Sequence, residues 1–298
     1  MAFKTPDQIA TAAVNAGVAK ANLSPARMLV GAILAGAYIA FAGLLGIAVT
    51  SGMAPATWGT LPSLIFGLAF STGLILVVIA GSELLTGNMM LLPMAVLRRR
   101  ELAGRAALSI VVVTIGNIIG SLLVAYFFAI KAGVIGSAGA KAGTPALTTF
   151  TRLSGIATGK ALTETDWQIF LRAVACNWLV CLAVWIALAA DDIAGKILGI
   201  IFPITAFVAM GFDHVVANMF FLPAAVYAHV PGIGWGDVLN NWVFAFLGNF
   251  VGGGLFVAGA YWFLYLRGRP QETSPDGVAS TPNSDHRSEA GQHAAGPR

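Results

Sequence analysis

One stretch of this chain, GSELLTGNMMLLPMAV from Gly81 to Val96, returns as GFDHVVANMFFLPAAV from Gly211 to Val226. Gly81/Gly211, Asn88/Asn218, Met89/Met219, Leu92/Leu222, Pro93/Pro223, Ala95/Ala225 and Val96/Val226 are identical, and Glu83 stands opposite Asp213 as an acid in both copies. Behind each copy, Gly116-Asn117-Ile118-Ile119-Gly120 returns as Gly248-Asn249-Phe250-Val251-Gly252, so the register holds across a further segment. Self-similarity of this length makes the chain two versions of one structural unit. Each copy lies in apolar sequence interrupted by Gly, Pro and polar groups, the pattern of a transport protein whose helices break near mid-membrane.

The medium follows from composition. In 298 residues, 57 % are hydrophobic and 10 % charged, with a mean hydropathy of +0.81, too little charge to solvate a globular surface; an integral membrane protein is expected. Crossing a bilayer takes about 20 apolar residues as a helix. Six stretches qualify, centred on 28–50, 62–97, 106–131, 168–190, 196–228 and 239–266. The second and fifth are the long ones and carry the duplicated motif, so each is expected as two half-helices around a break. Arg98, Arg99, Arg100 and Arg105 crowd the link between the second and third spans, whereas 51–60 carries no charge, which places the arginine link in the cytoplasm. An even number of spans puts both ends on that side, where Lys4, Lys20, Arg27, Arg267 and Arg269 are basic as expected. Asp191 and Asp192 would lie there too, but acids weigh little in topology. Three spans per copy is odd, so the second copy runs through the membrane in the opposite sense.

The expected architecture is therefore all-α and integral to the membrane, with six transmembrane helices as two inverted three-helix repeats and broken second and fifth helices. A cytoplasmic amphipathic segment (1–27, with Ile9, Ala13, Val14, Gly17 and Val18 at helical spacing) precedes the six-helix domain (28–266, repeats about 28–131 and 168–266). The tail, 267–298, rich in Gly, Pro, Ser, Thr and charge, is expected to be disordered and cytoplasmic. No cleavable secretory signal is expected.

His214 is the only histidine inside an expected span and sits in the middle of the second motif. An ionisable group at membrane depth is costly unless paired, neutral or beside a wet cavity, so a place on a transport pathway is the first reading; a neutral ring bonded to backbone at a helix break is the simpler one. An anion arriving beside it would favour its protonated form and permit proton transfer. Thr86 falls near the same level in the other copy, with Leu84 aligned to His214, and could bond both the histidine and the anion, or only its own helix. Glu83 and Asp213 are read as caps of half-helix N-termini. Asn117, Asn177 and Asn249 could reach neighbouring helices or the broken segments, or serve as helix glue. Gly31, Ala35, Gly36, Ala37 and Ala40, with Gly252, Gly253 and Gly254, supply small packing faces. Phe70 and Phe207 could form an apolar constriction, or face lipid. Cys176 and Cys181 read as small buried apolar residues. Lys160, before the fourth span, is a loop lysine or a cation that concentrates anions at a mouth.

Taken together, GAILAGAYIAFAGL, GSELLTGN, GNIIGSLLVAYF, CNWLVCLAVW, GFDHVVANMFFLP and GNFVGGGLFVAGAYW, one from each span, resemble the formate/nitrite transporter family. The resemblance implies aquaporin-like protomers in a homopentamer in the cell (inner) membrane, each with its own pore for a small monovalent anion (formate, nitrite or hydrosulfide) moving in step with protons. By motif it makes His214 the central histidine, Thr86 its partner, Asn177 and Asn249 the pore asparagines, Lys160 the vestibule lysine paired with Asp213, and Phe70, Leu74, Leu84 and Phe207 the constrictions. Asp213 replaces the family's usual Glu, and Lys160 lies one residue further from Asn177 than the family spacing. The N-terminal segment resembles the family's cytoplasmic helix, either a gate or a surface anchor.

Beyond the anion and membrane lipid, no cofactor, metal or nucleic-acid partner is expected. An intramembrane enzyme or redox protein is the reading of another class. Glu83 and Asp213 are formally a carboxylate pair, but a single in-span histidine argues against haem. A neutral-solute channel of aquaporin type would share the repeat, yet here Asn88-Met89-Met90 and Asn218-Met219-Phe220 stand where Asn-Pro-Ala is usual.

Overall fold

The protein is described by a computed structural model over residues 3–101 and 103–269, and it is helical. Helices α1 (Pro6–Ala21) and α2 (Pro25–Thr50) each open on a proline behind a hydroxyl residue, the position where the missing N–H costs nothing. Ser24 Oγ accepts from the Arg27 N–H at 3.4 Å. There follow α3 (Pro55–Trp58), α4 (Leu61–Ala80), α5 (Leu85–Leu97), α6 (Ala103–Lys131), α7 (Pro145–Thr158, prolonged by a π turn over Gly159–Thr163), α8 (Asp166–Ala189), α9 (Ile193–Ala209), α10 (Val215–Tyr227) and α11 (Trp235–Tyr265). Among the described residues, α2, α4, α6, α8 and α11 are each long and apolar enough to cross a membrane, while α5, α9 and α10 are shorter apolar helices. Phe202 is 73 % exposed and Leu239 and Leu255 are exposed with it, apolar surface suited to lipid. The chain is a multi-pass membrane protein.

The expected spans 62–97 and 196–228 are indeed interrupted, at 81–84 and 210–214. Gly81 (φ 76) and Gly211 (φ 72) end the leading halves in the left-handed region, where a Cβ costs about 1–2 kcal/mol. The backbone then runs extended through Leu84 (φ −97, ψ 125) and His214 (φ −100, ψ 112) before helix resumes. The small-residue motifs behind them bring backbones together. A Cβ on Gly120 of α6 would lie 2.0 Å from the Ile33 carbonyl oxygen of α2, and one on Gly252 of α11 would lie 2.3 Å from that of Val174 in α8. The pairs α2–α6 and α8–α11 thus use equivalent contacts, and α4 packs against α9 with Ser71 Oγ 3.3 Å from Thr205 Oγ1.

Ile9, Ala10, Ala13 and Val14 of α1 are buried among Met90, Leu91 and Met94 of α5 and Trp185 of α8. This corrects the surface-anchor reading: the apolar face formed by these residues packs against protein rather than lipid. Lys4 pairs with Asp191, Asp192 caps α9 by accepting from the Gly195 N–H at 2.7 Å, and Arg98 Nη1 donates to the Leu266 carbonyl at 3.0 Å. The basic N-terminal segment, the arginine link, the α8–α9 turn and the end of α11 therefore gather at one end of the bundle. The tail expected to be disordered lies, from 270 onward, outside the described residues.

Candidate functional site

His214 closes the N-terminus of α10 with its own ring: Nδ1 accepts from the Ala217 N–H at 3.1 Å, while Nε2 lies 2.9 Å from Thr86 Oγ1. A nitrogen that accepts a backbone N–H carries no hydrogen, so the neutral ring holds its proton on Nε2 and donates it to Thr86. The imidazole is 2 % exposed and stacks on Phe207 with ring centres 5.9 Å apart. Thr86 sits in the first turn of α5, so the contact bridges the two breaks. Both half-helices, α5 and α10, start here and turn the positive ends of their dipoles toward it.

Asparagines from the neighbouring helices hold the breaks in place. Asn249 of α11 accepts from the Val215 N–H at 2.8 Å and donates to the carbonyls of Ala173 and Asp213, each at 2.8 Å. Asn117 of α6 repeats this at the first break, accepting from Leu85 N–H at 2.9 Å and donating to Ala32 at 2.8 Å and Glu83 at 3.0 Å. Asn177 of α8 ties the sets together, donating to the Asn249 carbonyl at 2.7 Å and to that of Thr86 at 3.2 Å. Cys181 is a free, buried thiol, as is Cys176, and its Sγ lies 3.6 Å from the Thr86 carbonyl oxygen.

The acids behave otherwise than expected. Neither Glu83 nor Asp213 caps a helix; the caps come from His214 and the two asparagines. Asp213 Oδ1 instead accepts from Lys160 Nζ and from Asn218 Nδ2, each at 2.8 Å. Glu83 accepts from Lys20 Nζ at 2.7 Å and Asn88 Nδ2 at 3.0 Å. The same lysine–acid–asparagine triad thus stands beside each break, one lysine delivered by the α7 π turn, the other by α1. Lys20 was not singled out from the sequence. The signal was there in the equivalence of Glu83 with Asp213, because a buried acid in one copy demands the cation its counterpart has.

A cavity of about 220 Å³ opens toward the Lys160 triad. His214 and Phe207 form part of its wall, with Phe70, Arg152, Glu164 and Arg172 around them. Phe70 and Phe207 meet edge to face at 6.1 Å and are 3 % and 2 % exposed, which overturns the lipid-facing alternative. Leu74 and Leu84 are buried in the main core but do not line this cavity. Glu164 and Arg172, paired at 2.7 Å, and Arg152, whose Nε donates to Thr50 Oγ1 at 3.1 Å, escaped the sequence reading; each resembles an ordinary surface charge until the helices converge.

Known proteins resemble this chain over most of its length. The family model described as "Formate/nitrite transporter" matches residues 7–263. The chain is 47 % identical over 265 residues to "Uncharacterized transporter YrhG" of Bacillus subtilis (strain 168), covering 89 % of this chain and 95 % of that protein. It is 45 % identical over 271 residues to "Probable formate transporter" of Methanothermobacter thermautotrophicus, covering 89 % and 98 %. Among solved structures it is similar to "FNT family ion channel" (TM-score 0.78, 27 % identity, 86 % of this chain and 98 % of that one). It is also similar to "Pentameric formate channel with formate bound" (TM-score 0.69, 30 % identity, 82 % and 98 %).

Proposed function

The chain belongs to the formate/nitrite transporter family, and from that premise we propose that it passes small monovalent weak-acid anions, formate first, with proton exchange at His214. The observation that carries the reading is the buried contact between His214 Nε2 and Thr86 Oγ1 at 2.9 Å, made where two half-helix N-termini face one another. A bare anion in a dry constriction is far costlier than its neutral acid. Lys160 and Arg172 draw the anion into the vestibule, and Phe70 and Phe207 strip its water. The anion then displaces Thr86 from Nε2. Its charge favours a second proton on the ring, taken at Nδ1 from vestibule water as the Ala217 bond opens, with the hydroxide left on the entry side. The Nε2 proton passes to the anion, leaving a neutral ring and a neutral acid that crosses.

On the other side Lys20 and Glu83 receive it beside the first break. That arrangement fits an inverted repeat of six crossings with both ends in the cytoplasm, in the cell inner membrane. The pentamer is adopted from the formate-bound relative. Nitrite and hydrosulfide are the family's other candidate cargoes. No reaction at either carboxylate is required, so the protein is read as a transporter rather than an enzyme.

Uptake of labelled formate into proteoliposomes, with nitrite, hydrosulfide and chloride as competitors, tests the assignment. Formate uptake with weak chloride competition is expected. Water flux without anion flux would replace the reading with a neutral-solute channel.

A further inference from the structure

Glu164 in the vestibule wall and Asp213 behind it are two carboxyl groups with an atom each to spare. Asp213 commits Oδ1 to Lys160 and Asn218, and Glu164 commits Oε1 to Arg172 Nη1 at 2.7 Å. The remaining oxygens, Asp213 Oδ2 and Glu164 Oε2, are buried with no donor beside them, on side chains only 0 % and 9 % exposed. Asp213 nonetheless stands close enough for its charge to act directly on the Glu164 carboxyl. Two ionised carboxylates offer only acceptors, so a bond between them needs a proton, and one proton would satisfy both orphan atoms.

We propose that Glu164 and Asp213 share one proton, carried by Glu164, and that this proton sets how strongly the vestibule binds an incoming anion. The proposal rests on the anion-transport reading. Lys160 pairs directly with Asp213, which favours its carboxylate and leaves the proton to Glu164. The charges facing Glu164 are Asp213 from the second break, Lys160 from the π turn, Arg172 from α8 and Arg152 from α7, with the neutral His214 ring beyond. While the proton stays, three cations face a single carboxylate and the vestibule is attractive to anions. Once it leaves, a second carboxylate confronts the anion and Arg172 is fully matched. Burial first, and then the negative charge of Asp213, push the Glu164 carboxyl up to about 7, against the opposing pull of Lys160 and Arg172. The switch therefore works near neutral pH, a range in which free formate does not change its charge.

Exchange of labelled formate across proteoliposomes held at the same pH on both sides removes the proton gradient and isolates binding. As the protonated fraction falls between about pH 6 and about pH 8, the KM of the wild type should rise about tenfold. Glu164→Gln keeps a donor toward Asp213 but cannot titrate, so its KM should stay flat over that range; a KM that climbs in parallel with the wild type would overturn the proposal. Infrared difference spectra read the proton without any substrate. A carboxylic-acid carbonyl band should titrate near neutral pH in the wild type and vanish in Glu164→Gln, and its absence from the wild type would overturn the proposal even if formate is carried. If the wild type shows the band but exchanges no formate, the transport reading fails while the shared proton stands. Should Glu164→Gln not fold, Glu164→Asp carries the test: the band persists with a displaced midpoint if position 164 holds the proton, and an unmoved midpoint rejects it.

Discussion

His214 is gripped at both nitrogens, and each grip makes a separate prediction. Thr86→Val leaves the Nε2–H buried without an acceptor, which costs about 1–3 kcal/mol of stability. Formate flux should also fall by about tenfold, the factor that 1.4 kcal/mol represents. Thr86→Ser, which keeps the hydroxyl, should restore most of both; thermal unfolding in detergent and labelled-formate uptake read the two effects. What the sequence disclosed at this scale follows from contrast with the medium. His214, Thr86 and the asparagines were legible because polar groups in apolar spans stand out. Lys20, Glu164, Arg172 and Arg152 were not, since charged residues near span ends look solvated until distant helices enclose them.

The breaks are the elements on which the proposed pathway depends. Gly81→Ala and Gly211→Ala force a Cβ into the left-handed region and should each cost about 1–2 kcal/mol. A penalty confined to one copy, seen as a single shifted melting temperature, would deny that the breaks are equivalent. The supporting asparagines lead to a matched pair of expectations. Asn117→Ala and Asn249→Ala each remove an acceptor for a half-helix N–H and two donors to carbonyls. Each should lose about 3 kcal/mol, at about 1 kcal/mol per bond. The interruptions themselves were readable from Gly81 and Gly211 and from the length of the two spans. How they are capped was not. Glu83 and Asp213 occupy the right positions for caps, but buried carboxylates gain more from a lysine, and side chains from α6 and α11 reach the free N–H groups first.

At the scale of the whole molecule, the basic segments converge on one end through Lys4 with Asp191 and Arg98 with the Leu266 carbonyl. If that end faces the cytoplasm, cysteines placed at positions 4, 98 and 267 should all react with an impermeant maleimide only in inside-out vesicles, and labelling of any one from the opposite side would break the topology. The duplication made the paired architecture legible, because equivalent sequences pack through equivalent contacts. The covered position of α1 was not, because its apolar face reads the same whether lipid or protein lies against it. The claim that unites these scales is that a buried histidine lets a weak-acid anion cross as its neutral acid. Recording the pH inside proteoliposomes as formate is added tests it most directly. The interior should acidify with the wild-type protein and stay unresponsive with His214→Ala, whereas a His214→Ala protein that acidifies the interior like the wild type would contradict the account.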